Sequence, residues 1–402
     1  MTRVVLIHQA FASPGEPGGT RHYELARYCV ERGQTVTIVA SQISYLTGQH
    51  VPEREQNLGG VRVRRAYAYP ALHRSFMWRI VSFLSFMLSS IWTALRSGPV
   101  DVVMGTTPPI FQAVSAWIVA LLRRRPFLLE VRDLWPEFAI GMGVLKNPML
   151  IKVSRWLERF LYARATHLLV NSPAYRDYLI GKGVPARKIS LIANGVDPEM
   201  FDPAADGAAL RETWQLGDKF VVTYAGALGL ANDIPTLLQA AAQLRDQTQI
   251  HFLLVGDGKE RASLETQARQ LSLSNVTFTG SQPKTAMREV LALSDACVAI
   301  LQDIPMFRTT YPNKVFDYMA AGRPTVLVID GVIREVIDAA QGGLFVPPGD
   351  AAALAQAVLQ LAGDRDQARA MGRAARAYVV EHFNRQQQAA DFAALLQQLA
   401  AR

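Results

Sequence analysis

Cysteine is almost missing: the 402 residues include only Cys29 and Cys297, one in a helical pattern and one in a strand pattern. No disulfide framework can staple such a chain, and a reducing compartment suits it. Cys, His and acidic residues nowhere cluster at metal-ligand spacing, so no metal or other cofactor is expected. No leader-like segment opens the sequence, because residues 1–7 run directly into an apolar strand, and the expected location is the cytoplasm. Acidic residues are in deficit, 34 against 42 Lys and Arg, for a formal charge of +8. That balance favours anionic partners: nucleic acid, anionic lipid or a phosphorylated substrate. The arginines form no recognition module for nucleic acid, which leaves lipid and phosphorylated substrates.

What is present is apolar. A hydrophobic share of 50% is ample for two separate cores. Apolar runs at 4–7, 35–40, 61–66, 101–105 and 127–131 read as strands of a parallel sheet buried on both faces. Helices at 111–122, 149–162 and 173–182 and strands at 167–170 and 188–192 continue the alternation. Between the first strand and a helix over 21–32 lies a loop ending in Gly18 and Gly19. These glycines allow close backbone approach to a ligand, and the helix start behind them favours an anion. Glycine loops also serve as plain connections, and the dinucleotide fingerprint is not matched. Residues 202–218, rich in alanine, acid and glycine, read as a connector. A second alternation follows: strands at 220–224 and 250–255 are closed by Gly226 and Gly256, and one at 276–278 leads into Gly280, Ser281 and Gln282. Further strands lie at 296–301 and 325–329, before two alanine-rich helices. Two doubly wound α/β halves are the economical reading, with domains at 1–200 and 201–382 and a final helix, 383–402, packing back on the first.

Residues 76–95 are apolar enough and long enough to cross a bilayer. Arg79 and four serines interrupt them, however, and the next strand must rejoin the same sheet. A helix lying in the membrane surface fits these facts, with Arg74, Arg79 and Arg96 near anionic lipid and the run Arg123, Arg124 and Arg125 adding charge. A buried core helix is the plain alternative.

Two stretches carry candidate chemistry. The strand at 127–131 ends in Glu130, Arg132, Asp133 and, after Leu134, Trp135 and Pro136, Glu137. Ligands of open α/β sheets sit beyond the carboxyl ends of strands, so this cluster has the address of a site. An internal Arg–carboxylate pair fixing the loop is the competing reading. The second stretch is 311–326, where Pro312 opens a short helix that Gly322 and Pro324 end. Val315, Phe316, Met319 and Ala320 form its buried stripe, which leaves Lys314 and Asp317 together on the other side near an electropositive helix start. Free N–H groups, a lysine and a carboxylate suit a ligand with phosphate and sugar hydroxyls, such as a nucleotide sugar.

In their order and spacing, Gly18-Gly19, Asn194-Gly195-Val196-Asp197, Gly256-Asp257-Gly258 and the helix at 312–319 resemble a retaining glycosyltransferase of the GT-B fold, family 4. That resemblance implies two facing Rossmann-like domains. The 132–137 segment and Pro312-Asn313-Lys314 look like the bacterial branch that builds O-antigen and capsule units, including amino-deoxysugar transferases of the L-fucosamine type. Members of that branch act at the inner membrane on lipid-linked acceptors. The resemblance therefore implies a nucleoside-diphosphate sugar, UDP-linked by preference, as donor and a polyprenyl-diphosphate-linked saccharide as acceptor. Family 4 carries two glutamates with seven residues between them around this helix. Here those positions hold Thr309 and Asp317. Asp317 can still accept from ribose hydroxyls, whereas Thr309 brings no carboxylate to the sugar, and amides of residues 306–310 are expected to take over. The cations that relatives carry after the first strand of the second domain are also missing from 226–232.

On this reading Lys314 holds the diphosphate, assisted by the Gly18 and Gly19 amides, and Arg308 is the next nearest cation in the sequence. Gly226, Gly256, Gly280, Gln282, Thr309, Thr310 and Asn313 complete the donor site, with Asp317 on the ribose. His22, Glu130, Arg132 and Glu137 are the acceptor candidates, and Asp133 joins Lys314 and Asp317 as catalytic. Two other classes are compatible with the pattern. One is a nucleotide-sugar 2-epimerase of the same plan, and the other is a non-catalytic binding or scaffold protein at the membrane.

Overall fold

The computed structural model describes the whole chain apart from residues 45–46, 72–75 and 203–204, so Arg74 lies outside the described residues. The chain forms two compact units. One comprises Met1–Ser13, Gly19–Ala193 and Arg385–Arg402, and the other Pro14–Gly18 and Asn194–Asn384.

The first unit holds an eight-stranded sheet of β1 (Arg3–Ile7), β2 (Thr35–Ser41), β3 (Glu55–Leu58), β4 (Val61–Ala66), β5 (Val102–Thr107), β6 (Phe127–Val131), β7 (His167–Val170) and β8 (Ile189–Leu191). Their spatial order is β3-β4-β2-β1-β5-β6-β7-β8. All neighbours are parallel except β3 and β4, which form an antiparallel hairpin. The sequence reading lacks β3, because Glu55, Gln56 and Asn57 show no apolar alternation. The signal was in the turn: Gly59 and Gly60 have φ of 58° and 86°, the left-handed pair a tight hairpin requires. Strand order reverses between β1 and β5, so the open crevice of a doubly wound sheet lies at their carboxyl ends.

The last helix, Arg385–Ala400, belongs to this unit. It buries Phe392 and Leu396 in the cluster that contains Val4, Leu6 and Leu25. Arg385 Nε reaches Glu24 Oε2 at 2.8 Å, and Gln34 Nε2 donates to the Ala393 carbonyl at 2.9 Å.

The second unit has a six-stranded, wholly parallel sheet of β9 (Phe220–Ala225), β10 (Ile250–Val255), β11 (Val276–Gly280), β12 (Ala296–Ile300), β13 (Thr325–Val328) and β14 (Gly343–Phe345), in the order β11-β10-β9-β12-β13-β14. Phe220, Val222 and Tyr224 enter one core while Val221 and Ala225 enter the other. Burial on both faces is why each strand reads as an unbroken apolar run. Here the order reverses between β9 and β12. Of the connector expected at 202–218, the part from Gly207 on is instead packed structure. A helix at Ala208–Thr213 is held by Arg211, which donates to the carbonyls of Gly217, Lys219 and Leu293 and to Asp295. A Cβ at Gly207 would lie 2.5 Å from the Leu293 backbone nitrogen.

The Arg385–Glu24 pair is enclosed, with side chains 2% and 9% exposed. Replacing Arg385 with Leu leaves a buried carboxylate short of its cation, a loss of about 3 kcal/mol. Urea unfolding followed on the first unit should show it. A change within about 0.5 kcal/mol, the range of an ordinary surface substitution, would remove this pair from the docking of the last helix.

Candidate functional site

Each unit carries a polar cluster at its own strand-order reversal. In the second unit, three glycines stitch adjacent strand ends together. The Gly226 amide donates to the Val255 carbonyl and the Gly256 amide to the Gly280 carbonyl, each at 2.9 Å. A Cβ on Gly256 would stand 1.8 Å from the Gly226 oxygen, so this approach of backbones excludes any side chain. Gly280, at φ 80°, turns the chain out of β11 toward the exposed Ser281 and the half-buried Gln282.

Beside Gly226 lies the Lys314 amine. It sits 4.0 Å from the centre of the Tyr224 ring and 3.4 Å from Asn232 Oδ1, and a Cβ on residue 226 would come within 2.6 Å of Nζ. Among the described residues no carboxylate pairs with it. Burial pushes its pKa down to about 7. The loop 226–232 has no cation of its own, and the structure supplies one from the helix Asn313–Ala320. The sequence placed Pro312 inside this helix; it is the residue before it, at φ −66°. Val315, Phe316, Tyr318, Met319 and Ala320 are its buried residues. Tyr318 anchors the helix to the end of β9, its hydroxyl accepting from the Ala225 amide at 2.9 Å and donating to the Ala225 carbonyl at 3.1 Å. The Asn313 Oδ1 atom is buried beside the helix start without a hydrogen-bond partner.

Asp317 pairs with Lys284, Nζ to Oδ2 at 2.6 Å, across a separation of 33 positions that no local pattern bridges. Thr309 and Thr310 turn their hydroxyls inward, to the carbonyls of Met306 at 2.6 Å and Phe307 at 2.8 Å. Of the amides of residues 306–310 expected to take over the sugar, those of Phe307 and Thr310 bond instead to the Ile304 and Phe307 carbonyls within the turn. Gly331 backs this turn, since a Cβ there would meet the Arg308 oxygen at 2.1 Å. Arg308 itself is exposed and lies 3.4 Å from Asp303. Gly18 and Gly19 are exposed, with Gly18 at φ 129°.

In the first unit, Glu130 at the end of β6 is fully enclosed. Arg21 Nε reaches one oxygen at 3.0 Å and His22 Nε2 the other at 2.5 Å. Burial raises its carboxyl, but His22 and Arg21 outweigh that and hold it below the usual carboxylate range. The expectation that Glu130 touches an acceptor is corrected accordingly, because both oxygens are occupied and none of the side chain is exposed. Its effect passes through His22. Burial keeps that imidazole neutral more readily than usual. A carboxylate can only accept, so the proton resides on Nε2 and Nδ1 keeps its lone pair. His8, unremarked in the sequence, lies with its ring 4.1 Å from that of His22 and its Nδ1 2.9 Å from Thr106 Oγ1. Arg132 contacts His8 Nε2 at 3.4 Å, and its own Nε is buried without a partner.

Asp133 differs from Glu130. No hydrogen bond reaches its carboxylate among the described residues, and burial raises its pKa to about 6 against the opposing field of Arg132. Glu137 is tied in a bidentate pair by Arg155, at 2.8 and 2.9 Å, which corrects its expected place among acceptor contacts. Among the described residues, no three His, Cys, Asp or Glu side chains converge as a metal site would require.

The comparisons agree with this two-unit chemistry. The family described as glycosyl transferase 4-like domain matches residues 18–195, and that described as glycosyl transferases group 1 matches 219–364. The chain is 25% identical over 342 residues to the putative colanic acid biosynthesis glycosyl transferase WcaI of Escherichia coli K12, covering 81% of this chain and 83% of that one. It is 26% identical to the probable glycosyltransferase WbjE of Pseudomonas aeruginosa, over 69% of each. Among solved structures, sucrose-phosphate synthase of Thermosynechococcus elongatus superposes with a TM-score of 0.80 at 21% identity, covering all of both chains. HepE of Anabaena, in complex with UDP, gives 0.71 at 20% identity over 99% of this chain and all of that one.

The free Lys314 amine, at a pKa of about 7, sets a pH dependence. An anion binds the protonated form, so affinity for a nucleoside-diphosphate sugar should be constant below about 7 and weaken as pH rises above it, by up to about tenfold per unit. Calorimetry across pH, with Lys314→Met giving a flat and weaker profile, checks this; a wild-type profile as flat as the variant's would reject it. These units are those of a GT-B glycosyltransferase, family 4-like in the first and group 1 in the second.

Proposed function

We propose that the protein is a retaining transferase that moves an N-acetylated amino-deoxysugar from a UDP-linked donor to a polyprenyl-diphosphate-linked saccharide, in surface polysaccharide synthesis. The single observation that carries this reading is Lys314, a half-buried amine without an acidic partner among the described residues, at the strand-order reversal of the second unit. Negative charge grows on the departing diphosphate, and a cation already aimed there stabilises the transition state without reorganising. The first-turn amides of the same helix add to it. Asp317, oriented by Lys284, accepts from the ribose, and Gly280 and Gln282 meet the base. The complexes of HepE with UDP support the choice of nucleotide, and the names of WcaI and WbjE support the pathway.

On the first unit, His22 and Asp133 contact the acceptor. The lone pair on His22 Nδ1 and the Asp133 carboxylate accept from hydroxyls beside the attacking one and so orient it, while the attacking hydroxyl gives its own proton to the leaving phosphate as its oxygen bonds the anomeric carbon.

Attachment to the inner membrane surface is carried by the helix Phe76–Leu95. By length and composition its 77–95 part is the one described helix that could cross a membrane. Three of its four serines face the protein: Ser85 Oγ accepts from the Tyr69 amide, Ser89 donates to the Tyr67 carbonyl and Ser90 bonds Ser115 at 3.1 Å. Phe86 and Ala94 are buried, while an apolar stripe points outward, with Met77, Leu88 and Trp92 67%, 65% and 59% exposed. The helix Pro148–Arg164 adds Met149, Val153 and Trp156 to the exposed apolar face. Such a polar-inside arrangement is favourable where the outer medium is lipid.

Lys314→Ala should lower turnover by a factor on the order of a hundred or more while circular dichroism is unchanged. Unaltered turnover would end the phosphate assignment, and an epimer formed from donor without acceptor would replace the transferase reading by an epimerase. For the membrane, the triple change Trp78→Ser, Trp92→Ser and Trp156→Ser should abolish cosedimentation with vesicles containing phosphatidylglycerol. Continued binding would place the attachment elsewhere.

A further inference from the structure

We infer that the first unit has a second anion site, a pocket lined by Arg96, Arg123 and Arg125, and that it takes the phosphodiester of an anionic glycerophospholipid. The inference rests on the membrane attachment proposed above and makes it specific. The pocket measures about 490 Å³ and is walled otherwise by Leu95, Gly98, Pro99 and Val100, with no carboxylate among its lining residues. The nearest acid in sequence, Asp101, is already held by Arg3 through two side-chain bonds of 2.6 and 2.9 Å and one from the Arg3 amide at 2.9 Å. These bonds, aided by the field of Arg125, bring its carboxyl down to about 2. Three arginines therefore line one hollow, and its neighbouring acid is committed to another cation. Planar forks of this kind match phosphate oxygens.

The rim says which phosphate. Arg96 stacks on Trp92, 3.9 Å from its ring centre, while Trp92, Leu121 and Leu122 are each about 60% exposed beside the arginines. A soluble sugar phosphate would leave these residues in water; a lipid buries them with its acyl chains and puts its headgroup among the arginines. The pocket lies where chain enters β5 and β6. His22, Glu130 and Asp133 gather at the carboxyl ends of that sheet. The length of β5 separates the two places by about 20 Å. The pocket is therefore distinct from the acceptor residues, and the long apolar helix ends at it.

The test uses full-length protein and flotation with phosphatidylcholine vesicles, with and without phosphatidylglycerol. Arg96→Gln with Arg125→Gln should weaken phosphatidylglycerol-dependent binding about tenfold. A control of the same lost charge at exposed arginines elsewhere, Arg32→Gln with Arg54→Gln, should keep wild-type binding. Adding Arg123→Gln deepens the loss, but Arg123 also donates to the Leu95 carbonyl, so the double variant decides the matter. Equal loss in variant and control would mean diffuse attraction and overturn the site, as would no loss in either. Stabilisation of the wild type against heat by glycerol 3-phosphate, absent from the double variant and unaccompanied by any difference in flotation, would overturn the lipid assignment in favour of a soluble phosphate. Wild-type protein that floats with neither vesicle would overturn the membrane attachment itself.

Discussion

The second unit is built around an amine that its own packing disfavours. A lysine removed from water without a counter-ion raises the free energy of the folded state and drifts toward neutrality. Lys314 stays in that position because its surroundings leave no other. Tyr318 clamps the helix to the end of β9, the Tyr224 ring offers its negative face, and the missing side chain at Gly226 leaves the space into which the amine reaches. A glycine with any other substituent would expel it. On the proposed reading, an arriving diphosphate would relieve this unfavourable state, and the binding energy would be concentrated where charge grows during transfer.

The first unit solves the opposite problem. Glu130 is a buried carboxylate fully matched by Arg21 and His22, and Arg21 is itself anchored by the Ile192 and Ala193 carbonyls at 2.7 and 2.8 Å. A satisfied ion cluster of this kind fixes geometry; it does not bind. Three residues farther along the chain, Asp133 has none of those bonds and a raised pKa. Two carboxylates on one strand end are thereby given separate tasks by their partners, one holding an imidazole tautomer and the other open to a hydroxyl. The pattern Glu130-Val131-Arg132-Asp133 contains both acids and gives no sign of which is which.

Local features were legible and long-range partners were not. The glycines at 226, 256 and 280 end apolar runs, so their place at strand ends follows from the chain itself, and the buried stripe of the 313–320 helix follows from its period. Lys314 was recognisable as a cation at a helix start. Its position beside Gly226 was not, because 88 positions intervene and only the sheet order makes the two neighbours. The Lys284–Asp317 pair and the His8–His22 stack share that property. Residues 202–218 misled for a different reason: alanine and glycine suit a flexible linker and a tight backbone packing equally, and Gly207 against Leu293 is the second case.

The helix Phe76–Leu95 shows how the same composition can carry opposite meanings. By hydropathy alone it is a spanning segment, and by its serines a broken one. Placed against the sheet, three of the four serines cease to be interruptions, because Ser85, Ser89 and Ser90 each find a backbone or hydroxyl partner on the protein side, where an apolar core helix would need none. Hydrogen bonding inward spends the polar groups and leaves an outer stripe of Met77, Leu88 and Trp92 that water would not favour. Strand direction then separates two demands on one domain. The polar cluster of His22, Glu130 and Asp133 lies at the carboxyl ends of the strands, while the arginines that close this helix collect at the amino ends. On the membrane attachment proposed above, lipid composition would alter how firmly the domain is held without altering the groups proposed to meet the acceptor.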